Sequence, residues 1–293
     1  MRNIKKIGVI GTGQMGSGIA QVAAQGGLDV VMRDVQEAFI ERGFQAIQRS
    51  LGISLEKGKM TREHVAEILG RIKGTLSLAE AGQEADVLIE AVPEDLELKK
   101  NLFRELDDIC PASTIFATNT SSLSITEIAT ATRRPDKVIG MHFASPVPVM
   151  RGVEIIRGLE TSDDTVGVVE ELAKKMDKEI FFAKDFPGFC VNRLFPLFIN
   201  EAFYVLMEGI STAEDIDKGI RLILRHPMGP LELADFVGLD TILAILEYLH
   251  REIGERYRPC PLIKKLVVGG CLGLKSGKGV YDYTSDVKKS RLL

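Results

Sequence analysis

Two side chains stand in apolar runs where neither type is at home: His142 within Val138–Phe143, and Glu154 within Val153–Ile156. A carboxylate leaves water only with a donor or cation beside it, so Glu154 calls for a partner, and His142 supplies one. A histidine alone in an apolar strand is most often a core residue satisfied by a backbone carbonyl. Set side by side, the two misplaced polar groups explain each other. Polar residues also follow the apolar run Thr114–Thr118, in the order Asn119-Thr120-Ser121-Ser122. A serine there is, by itself, a turn or cap residue.

Near the start, Gly11-Thr12-Gly13-Gln14-Met15-Gly16 follows one apolar run and opens a helical pattern. In that context the first glycine permits a tight turn, the second lets backbone approach a pyrophosphate, and the third lets helix pack on strand. The free N–H groups of the helix start favour phosphates. Gly11, Gly13, Gln14, Met15 and Gly16 are therefore candidate cofactor contacts. Asp34 closes the next strand about 20 residues on, where a carboxylate binds a ribose diol. Its charge opposes a 2′-phosphate, so NAD is expected over NADP. Arg33 beside it is expected to point to the opposite strand face and stay out of the Asp34 pocket.

These residues need a sheet to position them. Strand-like runs at Ile7–Ile10, Val30–Met32, Asp86–Ala91, Thr114–Thr118, Val138–Phe143, Val153–Ile156 and Ile180–Ala183 alternate with helical patterns. That rhythm predicts a Rossmann-type, doubly wound, mostly parallel α/β sheet of roughly eight strands, whose carboxyl ends line the ligand crevice. Glu37 to Arg71, rich in charge and broken at Gly58, reads as a helical hairpin inserted after the second strand. After Pro187-Gly188 the pattern turns helical, at Phe189–Glu208, Glu214–Leu224 and Leu239–Ile253. Pro196 implies a kink or a late start in the first of these. The expected domains are 1–187, nucleotide-binding, and 188–293, all-α, ending in a glycine-rich loop.

At 293 residues, with 45% hydrophobic and 27% charged residues, the chain has the size and composition of a soluble two-domain protein. A formal net charge of -4 argues against nucleic-acid or membrane-surface binding. Cys110, Cys190, Cys260 and Cys271 lack metal or redox-pair spacing, so no metal is expected and the thiols read as those of a reduced, cytoplasmic protein. The apolar runs are too short for a membrane span, and the first strand starts too near Met1 for a signal peptide.

The chain also carries Asn119-Thr120-Ser121-Ser122-Leu123, Met141-His142-Phe143 with Pro146 to Met150, Val153-Glu154-Ile155, Pro187-Gly188-Phe189 with Val191-Asn192-Arg193, His226 to Pro230, and Lys275 to Gly279. Together these motifs resemble those of the short-chain L-3-hydroxyacyl-CoA and 3-hydroxybutyryl-CoA dehydrogenases. The resemblance implies hydride transfer between C3 of a short-chain (3S)-hydroxyacyl-CoA and NAD. It implies His142 as base, Glu154 as its partner, and Ser121 and Asn192 as hydrogen-bonding groups at the substrate. It also implies Glu94, Lys99 and Asn119 near the cofactor, Ser50 and Lys57 on the CoA moiety, and a homodimer through the C-terminal helices. Lys57 and Lys59 form a small basic cluster suited to a 3′-phosphate. The chain departs from the family pattern at Ala144 and Ser145, usually an aromatic residue and asparagine, and at Arg151-Gly152, commonly Lys-Leu. Two other readings, a dehydrogenase of a free hydroxy or sugar acid of the L-gulonate type and a non-catalytic NAD-binding protein, remain to be distinguished by assay.

Overall fold

The computed structural model describes residues 4–284 and 289–290. It divides into two compact units, Met1–Phe186 and Pro187–Leu293.

The first unit runs β1 (Lys6–Ile10), α1 (Gln14–Gln25), β2 (Asp29–Arg33), α2 (Glu37–Glu56), α3 (Arg62–Gly70), β3 (Ile72–Thr75), α4 (Leu78–Gly82) and β4 (Val87–Glu90). It continues α5 (Leu96–Ile109), β5 (Ile115–Thr118), α6 (Ile125–Ala129), β6 (Val138–Phe143), β7 (Gly152–Arg157), α7 (Asp163–Lys175) and β8 (Glu179–Lys184). The strands form one 8-stranded sheet in the order β3-β2-β1-β4-β5-β6-β7-β8. The order reverses between β1 and β4, the switch point at which such sheets open a crevice at their carboxyl ends. Every residue of β4 and β5 is buried, as a parallel sheet covered on both faces requires. The core joins Val9, Ile89, Ala117, Met141 and Ile155 across the strands.

The inserted hairpin is present, α2 and α3 turning at Gly58 with φ +66°, and Thr61 caps α3 by accepting from the His64 N–H. Two features escape the sequence pattern. β3, Ile-Lys-Gly-Thr, is too polar to read as a strand, yet Gly74 has a packing role: a Cβ there would lie 2.4 Å from Ile40 of α2. And β7 is antiparallel to β6 in an otherwise parallel sheet.

The second unit is helical: α8 (Val191–Met207), α9 (Ala213–Ile223), α10 (Pro230–Val237), α11 (Leu239–Ile253) and α12 (Pro261–Val268). They enclose Phe203, Leu231, Ile242, Leu246 and Ile263. α8 starts late because Gly188 and Phe189 have φ +78° and +47°, outside helical space, and Pro196 lies within it. α10 and α12 were not apparent as helical patterns; each opens on a proline, whose fixed φ suits the first turn. The glycine-rich tail closes on Asp235, whose carboxylate accepts from the Val280 and Tyr281 N–H groups at 2.9 Å. A Cβ on Gly279 would stand 2.0 Å from that carboxylate.

Candidate active site

Antiparallel pairing of β6 with β7 sets His142 directly opposite Glu154. The Nδ1–Oε2 distance is 3.0 Å, with the glutamate side chain 1% exposed and the histidine 15%. An ionised Glu154 keeps the proton on Nδ1, which leaves Nε2 as the proton-accepting nitrogen of neutral imidazole. The reversal of β7 is what allows this pairing. Glu154 sits near the amino end of its strand, and reaches the same side of the sheet as the carboxyl ends of β4, β5 and β6 because β7 runs the other way. Asn119 closes the array: its Oδ1 accepts from the Phe143 N–H at 3.0 Å, fixing the end of β6 beside His142.

The Ser121 loop is held at both ends by carboxylates. Glu94 Oε1 accepts from Thr120 Oγ1 at 2.7 Å, from the backbone N–H groups of Ser121 at 2.8 Å and Ser122 at 3.0 Å, and from Ser122 Oγ at 3.0 Å. Asp185 accepts from Ser124 Oγ, Ile125 N–H and Thr126 N–H at 2.7–3.0 Å, capping α6. Behind Glu94 lies a buried pair: Lys99 Nζ stands 2.6 Å from Glu90 Oε1 and 3.5 Å from Glu94 Oε2, and Glu90 Oε2 accepts from Thr118 Oγ1 at 2.6 Å. Burial pushes the Glu90 carboxyl up, against the pull of Lys99, Thr118 and the Val92 N–H. Burial also pushes Glu94 up, but the charge of Lys99 and the donors of the serine loop outweigh it and hold that carboxyl below its usual range. Lys99 is thus buried rather than solvated, and Glu90, inside the strand-like run Asp86–Ala91, is its main partner.

The glycine loop, Asp34 and Ser50 line one cavity of about 1070 Å3 within the first unit. The start of α1 has no side-chain cap and no acid in its first turn, so its N–H groups and positive dipole end suit an anion. A Cβ on Gly13 would meet nothing within 4 Å, whereas one on Gly16 would lie 1.8 Å from the Gly11 carbonyl oxygen. Gly13 therefore leaves room for a ligand, and Gly16 permits packing. Asp34 Oδ2 accepts from Thr12 N–H at 2.7 Å and Thr12 Oγ1 at 2.9 Å, which fixes the carboxylate at the rim. This set fits a dinucleotide: dipole for pyrophosphate, rigid carboxylate for ribose.

One expectation changes here. Arg33 lines the same cavity as Asp34, because β2 ends at Arg33 and strict strand alternation stops there; its Nε donates to the Leu76 carbonyl. The basic side chains of α2 that line the cavity beside Ser50 are Arg42 and Arg49, whereas Lys57, at the exposed carboxyl end of α2, is outside the lining. Their spacing along one helix face is the signal that finds them. Asn192 belongs to the second unit, buried in the first turn of α8. Of the departures, Ser145 Oγ accepts from Gln14 Nε2 at 2.9 Å, Arg151 pairs with Glu179 at 2.8 Å, and nothing in the structure accounts for alanine at 144 or glycine at 152.

The family model described as 3-hydroxyacyl-CoA dehydrogenase, NAD binding domain, matches residues 6–186. The model of the C-terminal domain of the same enzymes matches residues 188–283. The chain belongs to the 3-hydroxyacyl-CoA dehydrogenase family. A Bacillus subtilis relative named "Probable 3-hydroxybutyryl-CoA dehydrogenase" is 52% identical, over 96% of this chain and 98% of its own. A 3-hydroxybutyryl-CoA dehydrogenase from Bradyrhizobium diazoefficiens is 46% identical, over 96% of both chains. The crystal structure of (S)-3-hydroxybutyryl-CoA dehydrogenase from Ralstonia eutropha superposes with a TM-score of 0.92 at 46% identity, covering 97% of this chain and 100% of that one. As a 3-hydroxyacyl-CoA dehydrogenase the chain is an NAD-dependent oxidoreductase with a Rossmann-type sheet. No helix among its described residues is long and apolar enough to cross a membrane.

Proposed function

We propose that the chain interconverts a short-chain (3S)-3-hydroxyacyl-CoA of the 3-hydroxybutyryl class and the 3-oxoacyl-CoA, with His142 moving the proton. The in-register pair of His142 with the buried Glu154 carries this reading. In oxidation the C3 hydroxyl gives its proton to His142 Nε2, the C3–H bond breaks as hydride departs, and the C–O bond becomes a carbonyl. NAD, when bound, supplies the acceptor for that hydride. Glu154 holds the imidazole tautomer and stabilises the imidazolium that forms. In reduction the same imidazolium returns the proton to the oxygen.

Ser121 and Asn192 are assigned to hydrogen-bond the substrate around C3, with Glu94 fixing the Ser121 loop. Gly11, Gly13, Gln14, Met15, Gly16 and Asp34 are assigned to NAD, with Lys99 and Asn119 behind the array. Ser50 and Lys57 are assigned to the CoA moiety, Ser50 on the cavity face and Lys57 at the helix end. The four-carbon class is supported by relatives at 52% and 46% identity named for 3-hydroxybutyryl-CoA. A homodimer through the second unit is supported by the exposed apolar side chains Leu222, Ile223, Leu224, Phe236 and Val268. A cytoplasmic setting is supported by Cys110 and Cys260, each buried with no disulfide.

The test is steady-state reduction by NADH of acetoacetyl-CoA, longer 3-oxoacyl-CoA thioesters, a dicarboxylic homologue and free acetoacetate. The highest kcat/KM is expected with acetoacetyl-CoA and almost none with the free acid. A preference for the free acid removes CoA from the proposal, and a preference for a longer or dicarboxylic thioester removes the four-carbon class.

A further inference from the structure

The segment 144–151, which joins the strand of His142 to the strand of Glu154, forms one wall of the cofactor cavity through Pro146 and Pro148. It packs tightly on α1: a Cβ added at Gly18 would lie 2.9 Å from Val147 Cβ. Within it, the Val149 and Met150 N–H groups donate to the Pro146 carbonyl, at 2.9 and 3.0 Å. The carbonyls of Val147 and Met150 are both met by one side chain: Lys178 Nζ donates to Val147 O at 2.6 Å and to Met150 O at 2.8 Å. Lys178 is 8% exposed, immediately before β8, and Glu179 extends the tie by donating its N–H to the Arg151 carbonyl.

A buried ammonium whose hydrogen bonds go to carbonyls is an unusual investment, because desolvation opposes it and neutral acceptors return less than a carboxylate would. Burial does lower the pKa of Lys178 from the usual lysine value, with Asp177 opposing and Arg151 reinforcing that direction. What the arrangement yields is a loop fixed before any ligand arrives, and a preformed wall spares the ligand the entropy of ordering it.

We propose that Lys178 is a positioning residue for the cofactor: by donating to the Val147 and Met150 carbonyls it holds segment 144–151 as a preformed wall of the NAD cavity. The inference rests on that cavity being the NAD site, so Asp34→Ala is run beside it. Lys178→Met keeps the stem and removes the donors, leaving two carbonyls unsatisfied. KM for NADH is expected to rise about tenfold, with KM for acetoacetyl-CoA and kcat within about threefold of the parent. Lys174→Met, an exposed lysine on α7, is expected to change nothing. Lys178→Gln, with one reachable carbonyl, is expected to fall between.

An unchanged KM for NADH in Lys178→Met while Asp34→Ala raises it overturns the role of Lys178. Unchanged values in both variants overturn the placement of NAD in this cavity. Equal losses in every parameter reduce Lys178 to a fold-stabilising residue and overturn the proposal as well. Should the variants not fold, hydrogen exchange of the ligand-free parent decides. Slow exchange at Val149 and Met150, comparable with that of β6, is the expected result, and exchange at unprotected rates overturns the preformed wall.

Discussion

The β6–β7 pair and the inserted α2–α3 hairpin both carry residues assigned to the reaction, yet the chain holds them in opposite ways. On the sheet, backbone register alone sets His142 against the buried Glu154, Asn119 is fixed on the Phe143 N–H, and Glu90 and Lys99 are buried against each other. On the hairpin, Lys57 is exposed, and the exposed Arg42 has its guanidinium 4.6 Å from the ring of Phe39. Rigid, desolvated groups can act on a transition state, because their geometry is set in advance. Exposed charges on a helix grip a remote part of a substrate equally in ground and transition states. The sheet should therefore govern kcat, and the hairpin KM.

The largest effect should come from the sheet. His142→Gln is expected to lower kcat by ~10²–10⁴, the usual worth of positioned proton transfer, while NADH binding followed by fluorescence stays at the parental value. Cofactor choice probes the Asp34 rim of the cavity. NADPH should show kcat/KM lower than NADH by roughly 10², since its extra phosphate faces the Asp34 carboxylate. Comparable values would mean that Arg33, which shares the cavity, overrides that carboxylate.

Glu94 tests whether the support behind the serine loop matters to turnover. Glu94→Ala strands the donors of Thr120, Ser121 and Ser122, and about a tenfold fall in kcat/KM for acetoacetyl-CoA is expected, with a smaller change for NADH. Equal losses for both substrates would merge the loop with the cofactor site. The smallest effect belongs to the hairpin. Lys57→Ala and Arg49→Ala should each raise KM for acetoacetyl-CoA by about two- to fivefold at constant kcat, less at high salt. If only Arg49→Ala does so, the CoA contact lies on the cavity face of α2 and Lys57 is a solvated charge.

Legibility in the sequence follows the same division. The glycine loop, the apolar strands and the interrupted hairpin are local patterns, and each is present where the residues imply. The partnership of His142 with Glu154 was also readable, because two misplaced polar groups in adjacent apolar runs explain each other. What the residues could not reveal was non-local. The reversed direction of β7, the Glu90–Lys99 pair beneath Glu94, and the arrival of Arg33 in the Asp34 cavity depend on which strands become neighbours and where they end. β3 was hidden for another reason: Gly74 serves packing against Ile40, so the strand lacks the apolar run that marks the others.

The central claim, that His142 shuttles the proton, is tested most directly by initial rates measured in both directions as a function of pH. Oxidation of 3-hydroxybutyryl-CoA needs neutral imidazole, so its kcat should fall as pH drops; reduction of acetoacetyl-CoA needs imidazolium, so its kcat should fall as pH rises. In His142→Gln both limbs should vanish from the residual rate. Limbs of the same sign in the two directions, or limbs that persist in His142→Gln, would contradict the assignment.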